Sequence, residues 1–210
     1  MPRTLSTRAL LVVHTQRIFE GMQEIATPVN EAVAQAKADG RQIVYLADTS
    51  GNGGAQWVLD HEPDPKDVEE AGAGIHDFRV LTKDVMLVGG WWLACTGNAI
   101  IGAMFGHFSP QPPEPGPLLL RIPMRATSCQ GETLYQRFDE TSDFFGGIRT
   151  DVGKMKQMAE LLGPLGNTLP WDEFTIDGQV FRVRDQRVLT TVQLQAGTGP
   201  RRPVFLRFEV

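Results

Sequence analysis

Two continuous apolar runs, Ala9–Val13 (ALLVV) and Gln42–Ala47 (QIVYLA), flank a stretch whose apolar residues recur at helical spacing. No other feature constrains the fold as tightly. A strand that is apolar at every position, rather than at alternate ones, is covered on both faces, as in a parallel sheet layered with helices. Between the runs, Thr27 is placed to cap a helix and Pro28 to take its first position. Val29, Ala32, Val33 and Ala36 fall on one face, and Gly40 can close the helix. The unit is a βαβ crossover, right-handed by the general rule.

The pattern continues. Asp84–Val88 reads as a third buried strand, Cys95–Phe105 as a helix rich in small residues, and Leu118–Ile122 as a fourth strand. Asp151 can cap a helix whose apolar face is Val152, Met155, Met158, Ala159 and Leu162. Residues 56–74 show no clear period, and 75–83 reads as a short helix or as irregular chain. Ser109–Pro117 holds five of the fourteen prolines and is expected to be a stiff, extended loop. The tail differs in character. Phe174–Val183 alternates about Asp177–Gly178, a hairpin signal, and Val188–Gln195 and Val204–Val210 read as further strands. The expectation is an α/β fold of three layers on a mainly parallel sheet over residues 1–170, with a C-terminal antiparallel β extension over 171–210.

With 210 residues the chain can build one sizeable core. A net charge of −5 argues against a general nucleic-acid binder. No apolar stretch approaches the roughly 18 residues that span a bilayer, and the opening MPRTLSTRALLVV reads as a first strand, not a signal peptide. Two cysteines, Cys95 and Cys129, make no disulfide framework, so a reducing, cytoplasmic compartment is expected, with a single bridge as the alternative. Asp60–His61 could suggest a metal pair, but the four histidines show no ligand spacing, and no Walker or GxGxxG pattern is present. Neither a metal nor a cofactor is expected.

Chemistry concentrates in VGGWWLACTGNAI, Val88–Ile100. A Cys at the start of a helix faces the positive end of the dipole, which favours a thiolate. Cys95 can equally be a small buried residue, and packing is the better reading of Cys129. His14 closes the first strand at the carboxyl rim, where open α/β sheets hold ligands, and its imidazole could take a thiol proton. Asp48 stands at the same rim after the second strand, as an acid or a turn-former. Trp91 and Trp92 could wall a flat small-molecule substrate beside Cys95, or be core aromatics.

Two segments resemble the isochorismatase-like cysteine hydrolases. ALLVVHTQRIF, Ala9–Phe19, is similar to the family's opening strand, where an apolar run is followed by Asp, any residue, Gln and then Phe; Gln16 and Phe19 match, and His14 stands at the Asp position. GGWWLACTGNAI is similar to the family's turn into a helix, with Gly89 six residues before Cys95. LLLRIPMRATS fits the strand after the Cys helix, and the order of elements fits through about residue 165. The resemblance implies an Asp–Lys–Cys triad in which Cys95 is the nucleophile, His14 replaces the base and Lys66 lies roughly at the Lys position, without its usual Ser–Ala–Phe flank.

Two functions follow. One is a divergent, non-catalytic protein of this fold, a structural or assembly subunit working through its C-terminal β extension, as a homo-oligomer or in a protein complex; a viral or phage particle is a setting that suits it. The other is a cysteine hydrolase of a small amide-like substrate bound at the sheet rim, with Cys95 as nucleophile, His14 as base and the Ala94–Cys95 amides as oxyanion hole. An altered base and a lost Lys context are two departures within a unit that acts together, which favours the first.

Overall fold

The computed structural model describes residues 3–5, 8–48, 56–70, 78–80, 84–100, 118–138, 147, 151, 154, 174–176, 179–186, 189–194 and 204–209. In chain order the main elements are β1 (Arg3–Leu5), β2 (Arg8–Val13), α1 (Ala26–Ala38), β3 (Gln42–Ala47), β4 (Val68–Glu70), β5 (Phe78–Val80), β6 (Asp84–Gly89), β7 (Leu118–Pro123), β8 (Phe174–Ile176), β9 (Gln179–Gln186), β10 (Leu189–Leu194) and β11 (Val204–Glu209). Six of the strands lie side by side in the order β4-β3-β2-β6-β7-β11, every neighbouring pair parallel. This is an α/β fold on a parallel sheet. β2 is buried from Ala9 to Val13, as its unbroken apolar run requires. β1 and β5 form a separate parallel pair.

The chain's last described strand corrects the expectation of an antiparallel ending. β11 runs parallel to β7, in register from Val204 opposite Leu118 to Glu209 opposite Pro123, and is the sixth strand of the parallel sheet. Its alternation puts Leu206 and Phe208 into the core. Alternation reports which face is covered, not which way a strand runs. Arg121 on β7 forks onto Glu209 with distances of 2.7 and 3.1 Å, tying the two strands together. Beyond β11, the pairings β11–β10, β10–β9 and β9–β8 are antiparallel.

Helix α1 buries Ala26, Val29, Val33 and Ala36, the face expected from their spacing. It begins at Ala26, and the preceding Ile25 offers no side-chain cap, so Thr27 lies inside the first turn rather than before it. Pro28 is tolerated there because first-turn amides have no partner within the helix. Gly40, at φ +65°, ends the helix. The buried guanidinium of Arg41 then meets Asp39 at 3.6 Å and Asp84 at 3.2 Å, joining this corner to the start of β6.

The polar stretch without a clear period contains β4, and β5 replaces the short helix considered for 75–83. Trp57, Val58 and Leu59 are buried although their surroundings are polar. The proline-rich loop 109–117, the turn Asp177–Gly178 and the apolar face from Val152 to Leu162 lie outside the described residues. Among the described residues no helix is long and apolar enough to cross a membrane.

Candidate functional site at the carboxyl rim

The carboxyl ends of β2, β3, β6 and β7 bring together His14–Gln16, Asp48, Gly89–Cys95 and Ser128. The glycine pair makes the turn possible. Gly89 sits at φ +106°, and a side chain there would run into the Val13 carbonyl. The Gly90 amide donates to that same carbonyl at 3.0 Å, and a Cβ on Gly90 would meet the Met22 side chain and, at 3.0 Å, Ser128 Cβ. The Gly90–Trp91 peptide is cis. Ser128 fastens the turn from the β7 side: its amide donates to Gly89 O at 2.8 Å, and its carbonyl accepts from the Trp92 amide at 2.9 Å.

The helix starts earlier than expected. A widened helical turn spans Trp92–Thr96 and runs on into helical residues 97–100, so Cys95 is the fourth residue of the turn rather than the first of a helix. Cys95 is only 6% exposed. Burial pushes its thiol above the usual range, the Asp48 carboxylate pushes it further in the same direction, and backbone hydrogen bonds at Trp91 and at Cys95 itself pull only partly back. The helix-dipole expectation of a thiolate is therefore reversed, because desolvation of the charged form outweighs the backbone dipoles. Alkylation of Cys95 by iodoacetamide is expected to be slower at neutral pH than that of free cysteine, with a rate still climbing beyond the ordinary thiol range. A rate that levels off below neutral pH would contradict the neutral thiol.

Gln16 holds the other side of the site. Its buried amide accepts from the Asp48 backbone N–H at 2.7 Å and donates to the Asp48 carbonyl at 3.1 Å. This two-point clamp pins the end of β3 to the end of β2. Gln16 was legible as a matching position, but no sequence signal connected it to Asp48. His14 is buried at φ +46°, donates its amide to Leu46 O at 3.0 Å, and stacks its ring on Phe19 with centroids 5.6 Å apart.

The two tryptophans part company. Trp91 is half-buried at the rim, its indole N–H donating to Glu20 O at 2.9 Å and its ring edge-on to Phe19. Trp92 faces into the core, fully buried against Phe208 of β11 with centroids 5.4 Å apart, and donates to Asp151 Oδ2 at 3.0 Å. It therefore cannot wall a substrate, because successive residues of a helical turn point in different directions. Lys66, on the turn Pro65–Asp67, has a side chain 75% exposed and pairs with Asp64 at 2.8 Å, so its ammonium lies in solvent rather than in the buried group around Cys95. The structure thus gathers Cys95, Asp48 and Gln16, sets His14 on the same rim against Phe19, and leaves the Lys66 charge outside.

Cys129 is also buried, and desolvation raises its thiol while Arg137 pulls it down. Among the described residues no cluster of three or more His, Cys, Asp or Glu side chains could hold a metal ion. Comparison of the chain with family models, with curated proteins and with solved structures finds no match.

Proposed function

We propose that the chain is a divergent isochorismatase-like protein that is not a thiol hydrolase and that acts as a structural or assembly subunit through its C-terminal strands. The reading rests on Cys95: a buried thiol pushed up by desolvation and by a neighbouring carboxylate is neutral at physiological pH, and the candidate cation, Lys66, is spent on Asp64 in solvent. A protonated thiol with no cation beside it among the described residues is a poor nucleophile.

The assembly role draws on the order of strands. Among the described residues the nine-stranded run ends at β8, whose one strand neighbour there is β9. An edge strand offers unpaired amides and carbonyls to a further strand, and a second copy of the chain pairing edge to edge would close it. Ile176 lies opposite Gln179 across a two-residue connection, and such flanking pairs exchange both hydrogen bonds, so the next residue, Thr175, turns its amide outward. Light scattering after size exclusion is expected to give a dimer or larger species for the native chain, and Thr175→Pro to shift it toward monomer with the far-ultraviolet spectrum unchanged. A native protein that runs as a monomer at high concentration would sink the proposal.

One observation favours the hydrolase as a second reading. Asp48 acts electrostatically on the Cys95 thiol, and a carboxylate in that place could take the thiol proton, with His14 on the same rim as the other candidate base. Cys95 alkylation separates the readings: hydrolysis requires a thiol that reacts rapidly at neutral pH.

A further inference from the structure

The segment 56–61 crosses the rim as a strap, and its fastenings are specific. The Val58 amide donates to Thr15 O at 2.9 Å, and the Arg17 amide donates to Gln56 O at 2.7 Å. Arg17 Nε donates to Trp57 O at 3.1 Å. Asn30 of α1 accepts from the Asp60 amide at 2.9 Å. Trp57 packs edge-on to Tyr45 of β3, with centroids 5.9 Å apart. The far end of the strap is held by His61 as well: its Nε2 lies 3.0 Å from Lys37 Nζ on α1 and 3.2 Å from Tyr45 Oη on β3.

That geometry sets the protonation state. An ammonium can only donate, so Nε2 must present its lone pair and the ring proton must sit on Nδ1. A second proton on the ring would place an N–H⁺ against the lysine ammonium at hydrogen-bonding distance, turning an attraction into a repulsion. The other charged groups around the ring do not offset this. Tyr45 stays neutral, its phenol pushed up to about 12 by burial and then by Asp67. Asp60, beside His61 in the strap, favours the imidazolium, but less than burial and Lys37 oppose it. Glu62 follows in sequence and is exposed.

We infer that His61 is a proton-sensitive latch: neutral, it fastens the far end of the strap to α1 and β3; protonated, it loosens that end, Asp60–His61, while Trp57, Val58 and Leu59 stay buried in the core. The sign follows from linkage. His61 titrates below the ordinary histidine value of 6.5 in the closed form, so the open form binds the proton more readily, and closure weakens as pH falls from that ordinary value downward. The latch stands whether or not the rim is catalytic.

Amide hydrogen exchange on the full chain, corrected for intrinsic rates, tests it. Between about pH 7.5 and about pH 5.5, protection at the Asp60 amide is expected to fall severalfold, while the Val58 and β2 amides hold. In His61→Gln, whose side-chain oxygen can still accept from Lys37 and Tyr45 but does not titrate, protection at the Asp60 amide should not depend on pH. In His61→Phe, which keeps the ring against Tyr45 but has no acceptor, the Asp60 amide should be loose at either pH. Protection in the native chain that does not change, or a fall that persists in His61→Gln, would overturn the latch.

Discussion

Trp92→Ala is expected to remove most of the folding stability. Trp92 is fully buried, its ring seated on Phe208 and its indole N–H on Asp151. Truncating a buried aromatic to Ala costs about 3–5 kcal/mol through lost transfer energy and the cavity left behind. Stranding the buried acceptor adds about 1–3 kcal/mol. The sum is comparable with the roughly 5–15 kcal/mol by which whole domains are stable. Urea titration followed by circular dichroism measures it, and a loss below about 1 kcal/mol would show that the ring is not the core element described.

Trp92→Phe separates the two contributions. It keeps an aromatic ring against Phe208 and removes the donor, so a loss of about 1–3 kcal/mol is expected. That loss should depend on pH. Burial raises the Asp151 carboxyl above the usual range, and the Trp92 hydrogen bond, with Arg137 at 3.9 Å, partly restores it. Without the donor the ionised form is harder still to bury, so the variant should suffer most at neutral pH. The deficit should shrink in acid, where the carboxyl is protonated in both the folded and unfolded chains.

Gly89→Ala should be comparably severe for a different reason. The added methyl would occupy the space of the Val13 carbonyl, which already accepts the Gly90 amide, and the backbone there is at φ +106°. Backbone cannot yield as the end of a flexible side chain can. A cost above about 4 kcal/mol is expected, enough to abolish soluble, folded protein. Gly40→Ala is the control. It also has positive φ, but nothing lies within 4 Å of the new methyl, so only the left-handed backbone penalty of about 1–2 kcal/mol applies. Thermal melting would show a drop of a few degrees for Gly40→Ala and no cooperative transition for Gly89→Ala. Two similar melting points would mean that the close approach at Gly89 is not what it is taken to be.

The parts of the fold that were legible in the sequence are those written in local pattern. β2 and β3 announced themselves as unbroken apolar runs, α1 by the spacing of Val29, Val33 and Ala36, and the Gly–Gly–Trp–Trp–Leu–Ala–Cys turn by its glycines. What stayed hidden depends on partners far away in sequence. VFLRFE alternates whether its neighbour runs parallel or antiparallel, so its place beside β7 could not be read. The two tryptophans look equivalent as letters, yet only the turn's rotation sends Trp92 to Phe208 and Trp91 to Phe19. At Cys95, position in the turn suggested a thiolate, whereas the balance of burial, the Asp48 charge and backbone dipoles decides for the thiol. His61 was read only as half of an adjacent acid–imidazole pair, because Lys37 and Tyr45 approach it from other elements.

The pairing of β7 with β11 also bears on synthesis. Leu118 and Val204 lie opposite each other, 86 positions apart in the chain. Until the ribosome has released residues through Glu209, the outer edge of β7 has no strand beside it, and the Trp92 indole has no Phe208 to rest on. A nascent chain stalled anywhere in between carries an open sheet edge and an uncovered aromatic together, the two features most prone to aberrant association. The protein's exposure to aggregation is thus set less by the finished fold than by how long translation takes to bring its sixth parallel strand.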